Sequence, residues 1–289
     1  VTSLARFARW LHTGWPAGVV EPLPEARPDG STNVPGLFVA GDIRGVPLLK
    51  FAADSGARVV QTIVADPAFA ARKPSDEALD LVIVGAGVAG MAAALEARRA
   101  GLRFEVLEAT EPFSTIVNFP RAKPIFTYPS EMTPAGSLRF GERSSVKEGL
   151  LDELRDATAE IEPTAARVEE VTREGRLLAV HVHGQPSRLA RRVLVAVGRS
   201  GNFRRLGVPG EGLDHVSNRL HDPRDFAEKR VLVVGGGDSA VEAAVALAIA
   251  GAHVTLSYRK ETLARPKPEN LERMRMLASD PQADVAVER

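Results

Sequence analysis

The sequence predicts an α/β fold made of two βαβ units, the second cut short. Three observations carry this. The run Leu81-Val82-Ile83-Val84-Gly85-Ala86-Gly87-Val88-Ala89-Gly90 is a short apolar stretch that ends in glycines and continues as an Ala-rich amphipathic segment. A second run, Val231-Leu232-Val233-Val234-Gly235-Gly236-Gly237-Asp238-Ser239-Ala240, repeats the pattern 150 residues later. The chain then ends at Arg289, only about 60 residues into the second unit, where a full domain of this kind needs on the order of 100 residues.

Each glycine run has the pattern of a strand that bends tightly into a helix whose N-terminus faces a pyrophosphate. Both units therefore read as Rossmann-like, and two such turns predict two dinucleotides on one protein. In chain order, residues 1–34 are irregular, apart from a short helix expected over Arg6–Leu11. Gly36-Leu37-Phe38-Val39-Ala40 reads as a buried strand ending at Gly41-Asp42, followed by a helix over Leu48–Val64. Residues 66–79, with Asp66-Pro67 and Lys73-Pro74-Ser75-Asp76, read as a linker. After the first turn, a helix over Met91–Ala100 ends at Gly101, and Arg103–Glu108 reads as the returning parallel strand. Pro112–Pro134 shows neither period and is expected to be an ordered loop. Ser145–Thr158 is helical, Val168–Val182 is a hairpin around Glu174-Gly175, and Arg192–Gly198 is a buried strand. The domains expected are an irregular segment 1–34, a strand–helix unit 35–66, a dinucleotide domain 80–210 and a partial one over 225–289.

Composition narrows the chemistry. The 37 basic residues balance the 37 acidic ones, so bulk charge favours neither nucleic acid nor an anionic membrane. There is no cysteine, which excludes disulfides, thiolate metal sites and a CxxC redox pair in this chain. That fits a reducing compartment, and a cytoplasmic location is expected. Arg6, Arg9 and His12 interrupt the N-terminal apolar positions, unlike a signal peptide, and no apolar run reaches the ~18 residues of a membrane span. The six histidines show no metal-ligand spacing, so no metal site is expected. His181 and His183 read as solvent-facing, and His215 and His221 as surface residues.

The two turns differ in their chemistry. In the first, Gly85 permits the bend, Gly87 lets backbone approach phosphate, and Gly90 lets helix and strand pack closely. Glu108, 23 residues beyond Gly85, ends the second strand where a carboxylate accepts hydrogen bonds from an adenosine ribose. In the second turn Gly235 and Gly237 are kept and Ala240 takes the third position, with Asp238 and Ser239 opening the helix. No acid ends the strand Ala252–Leu256; Ser257-Tyr258-Arg259-Lys260 follow instead. Arg259 and Lys260 can pair with a ribose 2′-phosphate that a carboxylate would repel, which favours NADPH over NADH. The bland alternative for this pair is a solvated basic loop.

On these motifs the chain resembles the two-dinucleotide flavoprotein reductases of the thioredoxin-reductase type, over about residues 34–64 and 80–260. The resemblance implies FAD at Gly85, Gly87, Gly90 and Glu108, and NADPH at the second turn. Gly36–Asp42 is similar to the family's second FAD motif, so Gly41 and Asp42 are expected at the ribityl or pyrophosphate part of FAD. A helix from near Pro47 would then point its positive end at the flavin. Val195-Ala196-Val197-Gly198 resembles the segment joining the two domains and places Gly198 near the cofactor. Val208-Pro209-Gly210-Glu211 is similar to the Pro-Gly-Glu that follows it. Phe113–Pro120 takes the place of the loop that lines the flavin, which makes Thr115, Asn118 and Tyr128 candidates for the isoalloxazine edge; aromatic packing of a loop is the competing account.

Two departures from the family stand out. The Gly41-Asp42 motif normally follows the NADPH domain, whereas here it precedes the first glycine turn. A circular permutation of the FAD domain accounts for this and suits the short linker; a fused preceding module or misread gene start is the alternative. The interval Gly212–Asp222 also lacks the family's CxxC, which points to the cysteine-free branch with ferredoxin–NADP reductase-like and bacillithiol-disulfide reductase-like proteins. The function expected is hydride transfer from NADPH to FAD and onward to a small-molecule or protein acceptor, with no nucleic acid and no membrane span. The resemblance alone implies a homodimer. Rival readings are a flavin-dependent monooxygenase and a truncated, non-catalytic FAD-binding module of a larger protein.

Overall fold

The computed structural model describes residues 23–72, 77–125, 127–141, 146–199, 205–280 and 283–288. The helix expected over Arg6–Leu11 lies outside the described residues. The chain divides into two compact units. The first extends to Val117 and takes in the chain again from Pro124 to Arg204; the second consists of Asn118–Lys123 and everything from Arg205 onward.

The first unit is a mixed sheet backed by two helices. Its strands are β1 (Leu37–Val39), β2 (Leu79–Val84), β3 (Phe104–Glu108), β4 (Thr164–Ala165), β5 (Val168–Glu174), β6 (Leu177–Val182) and β7 (Gln185–Val195). They run in the order β4-β3-β2-β7-β6-β5, with β1 also on β7. The β2–β3, β3–β4, β2–β7 and β1–β7 pairs are parallel, while β5, β6 and the start of β7 form an antiparallel meander. β7 joins the two parts. Its first half pairs with β6 (Leu178↔Ala190) and its second half pairs with β1 (Leu37↔Val193 to Val39↔Val195). The strand before Asp42 thus docks one place away from the Gly85 strand, across β7, rather than directly beside it.

Parallel strands buried on both faces read as continuous apolar runs, and Leu81, Val82 and Ile83 are wholly buried. One face packs on the meander through Val82, Val84, Leu107, Leu178, Val180 and Val193. The helices are α1 (Leu49–Ala65) and α3 (Val88–Arg99). The two approach so closely that a Cβ added at Gly56 of α1 would lie 2.0 Å from the Ala89 carbonyl oxygen of α3. α3 is buried almost all round, hence its alanines and weak amphipathicity.

Residues 66–72 are more structured than the linker expected there. Asp66 caps the four-residue helix α2 (Pro67–Ala70) by accepting the Ala68 N–H, with Pro67 in the first turn. Phe69 is 2% exposed, and the guanidinium groups of Arg72 and Arg192 lie 4.0 and 5.2 Å from its ring centroid. Asp66 pairs with Arg192 at 2.8 Å, and Asp80 pairs with Arg72 and lies 3.7 Å from Arg191. The chain after α1 is thereby tied to the start of β2 and the second half of β7.

The irregular stretch after β3 holds the one-turn helix α4 (Ser114–Val117), and two buried carboxylates anchor its far end. Asp54 of α1 accepts the Ala135 N–H at 2.8 Å; Glu96 of α3 accepts the Ser137 N–H at 2.9 Å and its hydroxyl at 3.1 Å. Helix α5 (Lys147–Ala157) follows, two residues inside its expected start.

The second unit holds β8 (Arg230–Val234), α6 (Asp238–Ile249), β9 (His253–Ser257), α7 (Pro268–Ser279) and β10 (Val285–Glu288). Its strands are all parallel, in the order β10-β9-β8. Although the sequence after Lys260 is polar and Pro-rich, α7 and β10 form there and β10 adds a third parallel strand. Val241, Ala244, Val254, Leu256 and Met274 form its core, each fully or nearly fully buried and each contributing about 1.5–3 kcal/mol if of Val or Leu size.

The α1–α3 contact makes a paired prediction. Gly56→Ala should lower the stability of the first unit by about 1–3 kcal/mol, because the methyl meets backbone rather than a side chain that can turn away. Gly149→Ala in α5, where a Cβ meets nothing within 4 Å, should instead stabilise by about 0.5–1 kcal/mol. Chemical denaturation with a constant m-value checks both.

Candidate functional site

The three glycines of the first turn have three different jobs. Gly85 has a φ of 103°, and a Cβ there would lie 2.6 Å from the Ala196 carbonyl oxygen of the strand end next door. A Cβ at Gly90 would stand 1.9 Å from the Gly85 carbonyl oxygen, so only glycine lets α3 start this close to β2. Gly87 differs: a Cβ there would meet nothing within 4 Å. The space before it, at the N-terminus of a 12-residue helix, is open to a group that backbone N–H groups can hold.

Glu108 closes one side of this cradle. Its Oε2 accepts the Ala86 N–H at 2.7 Å, and its Oε1 accepts the Thr110 N–H at 2.9 Å and the Thr110 hydroxyl at 3.0 Å. Sequence reading missed Thr110, although its place two residues after the acid was the available signal.

Gly41 and Asp42 come to the same rim from β1. A Cβ at Gly41 would lie 2.9 Å from the Ala89 Cβ, and the Gly41 N–H donates to the Ser55 hydroxyl of α1 at 2.9 Å. Asp42 opens the short 3₁₀ turn Asp42–Arg44. Burial pushes its carboxyl up to about 6, against the opposing pull of the Arg199 charge. Gly198, just past β7, has a φ of 66° and no Cβ contact. α1 begins at Leu49 rather than near Pro47, and Lys50 in its first turn donates to the carbonyls of Pro129 and Ser130 at 2.8 and 3.0 Å.

Of the three flavin-edge candidates, Thr115 sits in α4 and Tyr128 is 58% exposed; both belong to the first unit and Asn118 to the second. In that second unit Lys123 pairs with Glu242 of α6 at 2.6 Å and lies over the Phe119 ring at 4.7 Å.

The second turn repeats the first in backbone. The Gly235 N–H donates to the Ser257 carbonyl at 2.9 Å, as the Gly85 N–H does to that of Leu107 at 2.7 Å. A Cβ at Gly237 would again meet nothing within 4 Å, while one at Gly235 would lie 3.1 Å from the Ala240 methyl. Asp238 accepts the Lys267 N–H and an Asn270 Nδ2–H, each at 2.8 Å, so its carboxylate fastens α7 to α6. Ser239, Arg259 and Lys260 are exposed. Both turns thus fit a dinucleotide: an open cradle at the middle position, a helix start behind it, and polar or charged groups at the strand end.

His215 and His221 are exposed, and His183 is paired with Glu169 at 2.8 Å. His181, expected to face solvent, is half-buried between the hydroxyls of Thr172 and Ser187, because the β6 position it occupies faces both neighbouring strands. Among the described residues no group of three or more His, Asp or Glu could hold a metal ion, and no helix is long and apolar enough to cross a membrane.

Asp42 generates a pH prediction. Its carboxyl is raised from 3.8 to about 6 in the folded chain, so the folded state binds the proton more tightly than the unfolded state. Its contribution to stability is full below about pH 3.8 and is lost as pH rises through about 6. Flavin-free protein should therefore lose stability from this group between about pH 3.8 and 6, and Asp42→Asn should remove that component from denaturation midpoints measured across the range.

Residues 82–284 match the family described as pyridine nucleotide-disulphide oxidoreductase. A ferredoxin–NADP reductase from Ignicoccus hospitalis is 31% identical over 195 residues, which cover 68% of this chain and 61% of that protein. A thioredoxin reductase from Mycolicibacterium smegmatis is 32% identical over 194 residues, covering 65% and 57%. The chain thus spans about three fifths of the length of these curated relatives. The bacillithiol disulfide reductase of Staphylococcus aureus has a similar fold, with a TM-score of 0.64 at 23% identity, covering 73% of this chain and 67% of that one. With 203 consecutive positions inside the family's pattern, both glycine turns among them, the chain belongs to the pyridine nucleotide-disulphide oxidoreductase family.

Proposed function

We propose that this chain serves a flavoprotein oxidoreductase that takes hydride from NADPH, held at the Gly235 turn, to FAD, held at the Gly85 turn, and passes the electrons to an external acceptor. The observation that carries the reading is the open space before Gly87, bordered by Glu108 and with Asp42 on the same rim. When bound, the two cofactors supply the hydride chemistry, and the protein supplies placement. The α3 N-terminus and the bare Gly87 backbone receive the FAD pyrophosphate. Glu108, held by Ala86 and Thr110, accepts from the adenosine ribose, and Asp42 accepts from the ribityl chain. At the second turn Arg259 and Lys260 pair with the 2′-phosphate.

The 289 residues hold no cysteine, so no dithiol within them relays electrons from the flavin to the acceptor. A ferredoxin, as in the name of the Ignicoccus relative, is the acceptor to test first. We read the position of Gly41-Asp42 ahead of the first turn as a circular permutation. Its support is that β1 pairs in the same sheet as β2 and that the Asp66–Arg192 and Arg72–Asp80 pairs fasten the connection.

Protein reconstituted with FAD should be yellow, and an anaerobic NADPH titration should bleach it. A preparation that cannot be loaded with FAD would sink the proposal. Glu108→Ala removes a charged acceptor of several hydrogen bonds and should weaken FAD binding by about 10–100-fold, read by flavin fluorescence titration.

A further inference from the structure

α1 begins with a charge that its own dipole opposes. A helix start carries partial positive charge and favours acidic side chains there. The first turn of α1 holds no acid and instead holds Lys50. The Lys50 ammonium donates to two backbone carbonyls, Pro129 at 2.8 Å and Ser130 at 3.0 Å. Carbonyls are neutral, so these bonds fix the charge in place without cancelling it. One turn along, Asp54 is already committed: one oxygen accepts the Ala135 N–H at 2.8 Å and the other accepts from Arg58 at 2.7 Å. Among the described residues Lys50 pairs with no carboxylate. Its seat is firm, because the strap that carries those carbonyls is held further along by both helices. A Cβ at Gly136 would lie 2.6 Å from the Ala57 Cβ of α1, and Glu96 of α3 takes the Ser137 N–H. The same end of α1 lies by the rim of the first cradle. The Ser55 hydroxyl accepts the Gly41 N–H, and Gly56 crosses Ala89 in the first turn of α3. Lys50 precedes that crossing by about 9 Å along the helix axis.

We propose that Lys50 tunes the redox balance of the flavin by holding an uncompensated positive charge at the start of α1. This rests on the reading of the first turn as the FAD site, with the start of α1 toward the ring. Hydride from NADPH brings two electrons and one proton, so NADPH leaves as NADP⁺ and the ring gains one unit of negative charge. A fixed cation on that side favours the reduced ring over the oxidised one. The two carbonyls already hold the ammonium, so nothing has to rearrange when the negative charge arrives. The helix end acts in the same direction with about half a unit of charge, and Lys50 adds a full unit to it. That gain accounts for a lysine where the helix alone favours an acid.

The test loads the full chain with FAD and reads its midpoint potential by anaerobic equilibration with redox dyes. Lys50→Gln keeps an N–H donor for the strap and carries no charge. It should shift the balance toward the oxidised cofactor at least about tenfold, a potential lower by about 30 mV. Lys50→Arg keeps the charge and should hold the balance within about threefold of the unmodified chain. A second readout involves no electron transfer from a reductant. Sulfite adds through its sulfur to the oxidised ring and leaves the ring negatively charged. It should bleach the unmodified loaded chain and bind Lys50→Gln at least about tenfold more weakly. If Lys50→Gln leaves the balance within about twofold, this inference fails and the FAD reading stands. If Lys50→Gln and Lys50→Arg fall alike, the strap and not the charge is responsible, and the inference fails. A loaded, unmodified chain that sulfite does not bleach overturns it without any variant. A chain that takes up no FAD overturns both readings.

Discussion

The first unit depends on backbones that approach one another more closely than any side chain allows. α3 can begin at the end of β2 only because Gly90 carries no Cβ, which would lie 1.9 Å from the Gly85 carbonyl oxygen. α1 can lie along α3 only because Gly56 is bare where it crosses Ala89. Gly41 meets the same Ala89 from the end of β1. These contacts converge on the first turn of one helix, so the cradle at Gly87, the position of Asp42 and the packing of the helix pair form a single constraint. Two buried acids carry it outward. Asp54 on α1 and Glu96 on α3 turn their carboxylates to the 134–138 backbone, so the helix pair also fixes an irregular segment that no periodicity could place.

Local patterns were readable in the sequence because their causes are local. The apolar runs of β2 and β8, the glycine spacing behind each and the acid at the end of β3 all lie within about 25 residues and follow from one βαβ geometry. Gly56 carries a constraint as strict as that of Gly90, yet nothing near it in the sequence announces this, because its partner Ala89 lies 33 positions away. Residues 66–72 have a linker's composition, but Asp66-Pro67 is also a helix start, and what orders them is Phe69 against Arg192, over a hundred residues on. The first half of β7 and all of β10 were missed for a related reason. Gln185-Pro186-Ser187-Arg188 and Val285–Glu288 are largely exposed, so burial leaves no alternating mark on them. α7 buries only Met274 and is fastened instead by Asp238 and Asn270.

The candidate site divides in the same way. Its phosphate-facing positions are set by spacing and could be named in advance. Of its supporting residues, Thr110 is marked only by its place two residues after Glu108, and Ser55, 14 residues beyond Gly41, leaves no local pattern. Thr115 and Asn118 are three residues apart, yet the chain passes from one compact unit to the other between them. Lys123 and Arg121 explain that passage: the first pairs with Glu242 on α6, and the second gives its N–H to the His221 carbonyl.

Two turns built on the same backbone bonds differ in what stands at the end of the second strand, and the difference follows from a size rule. A carboxylate reaching back to the turn needs a backbone N–H to receive it and tolerates the Ala86 methyl beside that N–H. At the second turn a methyl on residue 236 would stand 2.3 Å from the Tyr258 ring, so the ring would have to shift to admit it. The small residue at the bend and the large one at the strand end are therefore one choice made twice. The exchange changes the local charge by one full unit while leaving the open cradle at Gly87 and Gly237 alike. One supersecondary unit thus occurs twice in the chain with different groups at its strand end. The helix start and its glycines, which shape the open cradle, are the same at both turns, and the ladder position at the strand end is where they differ.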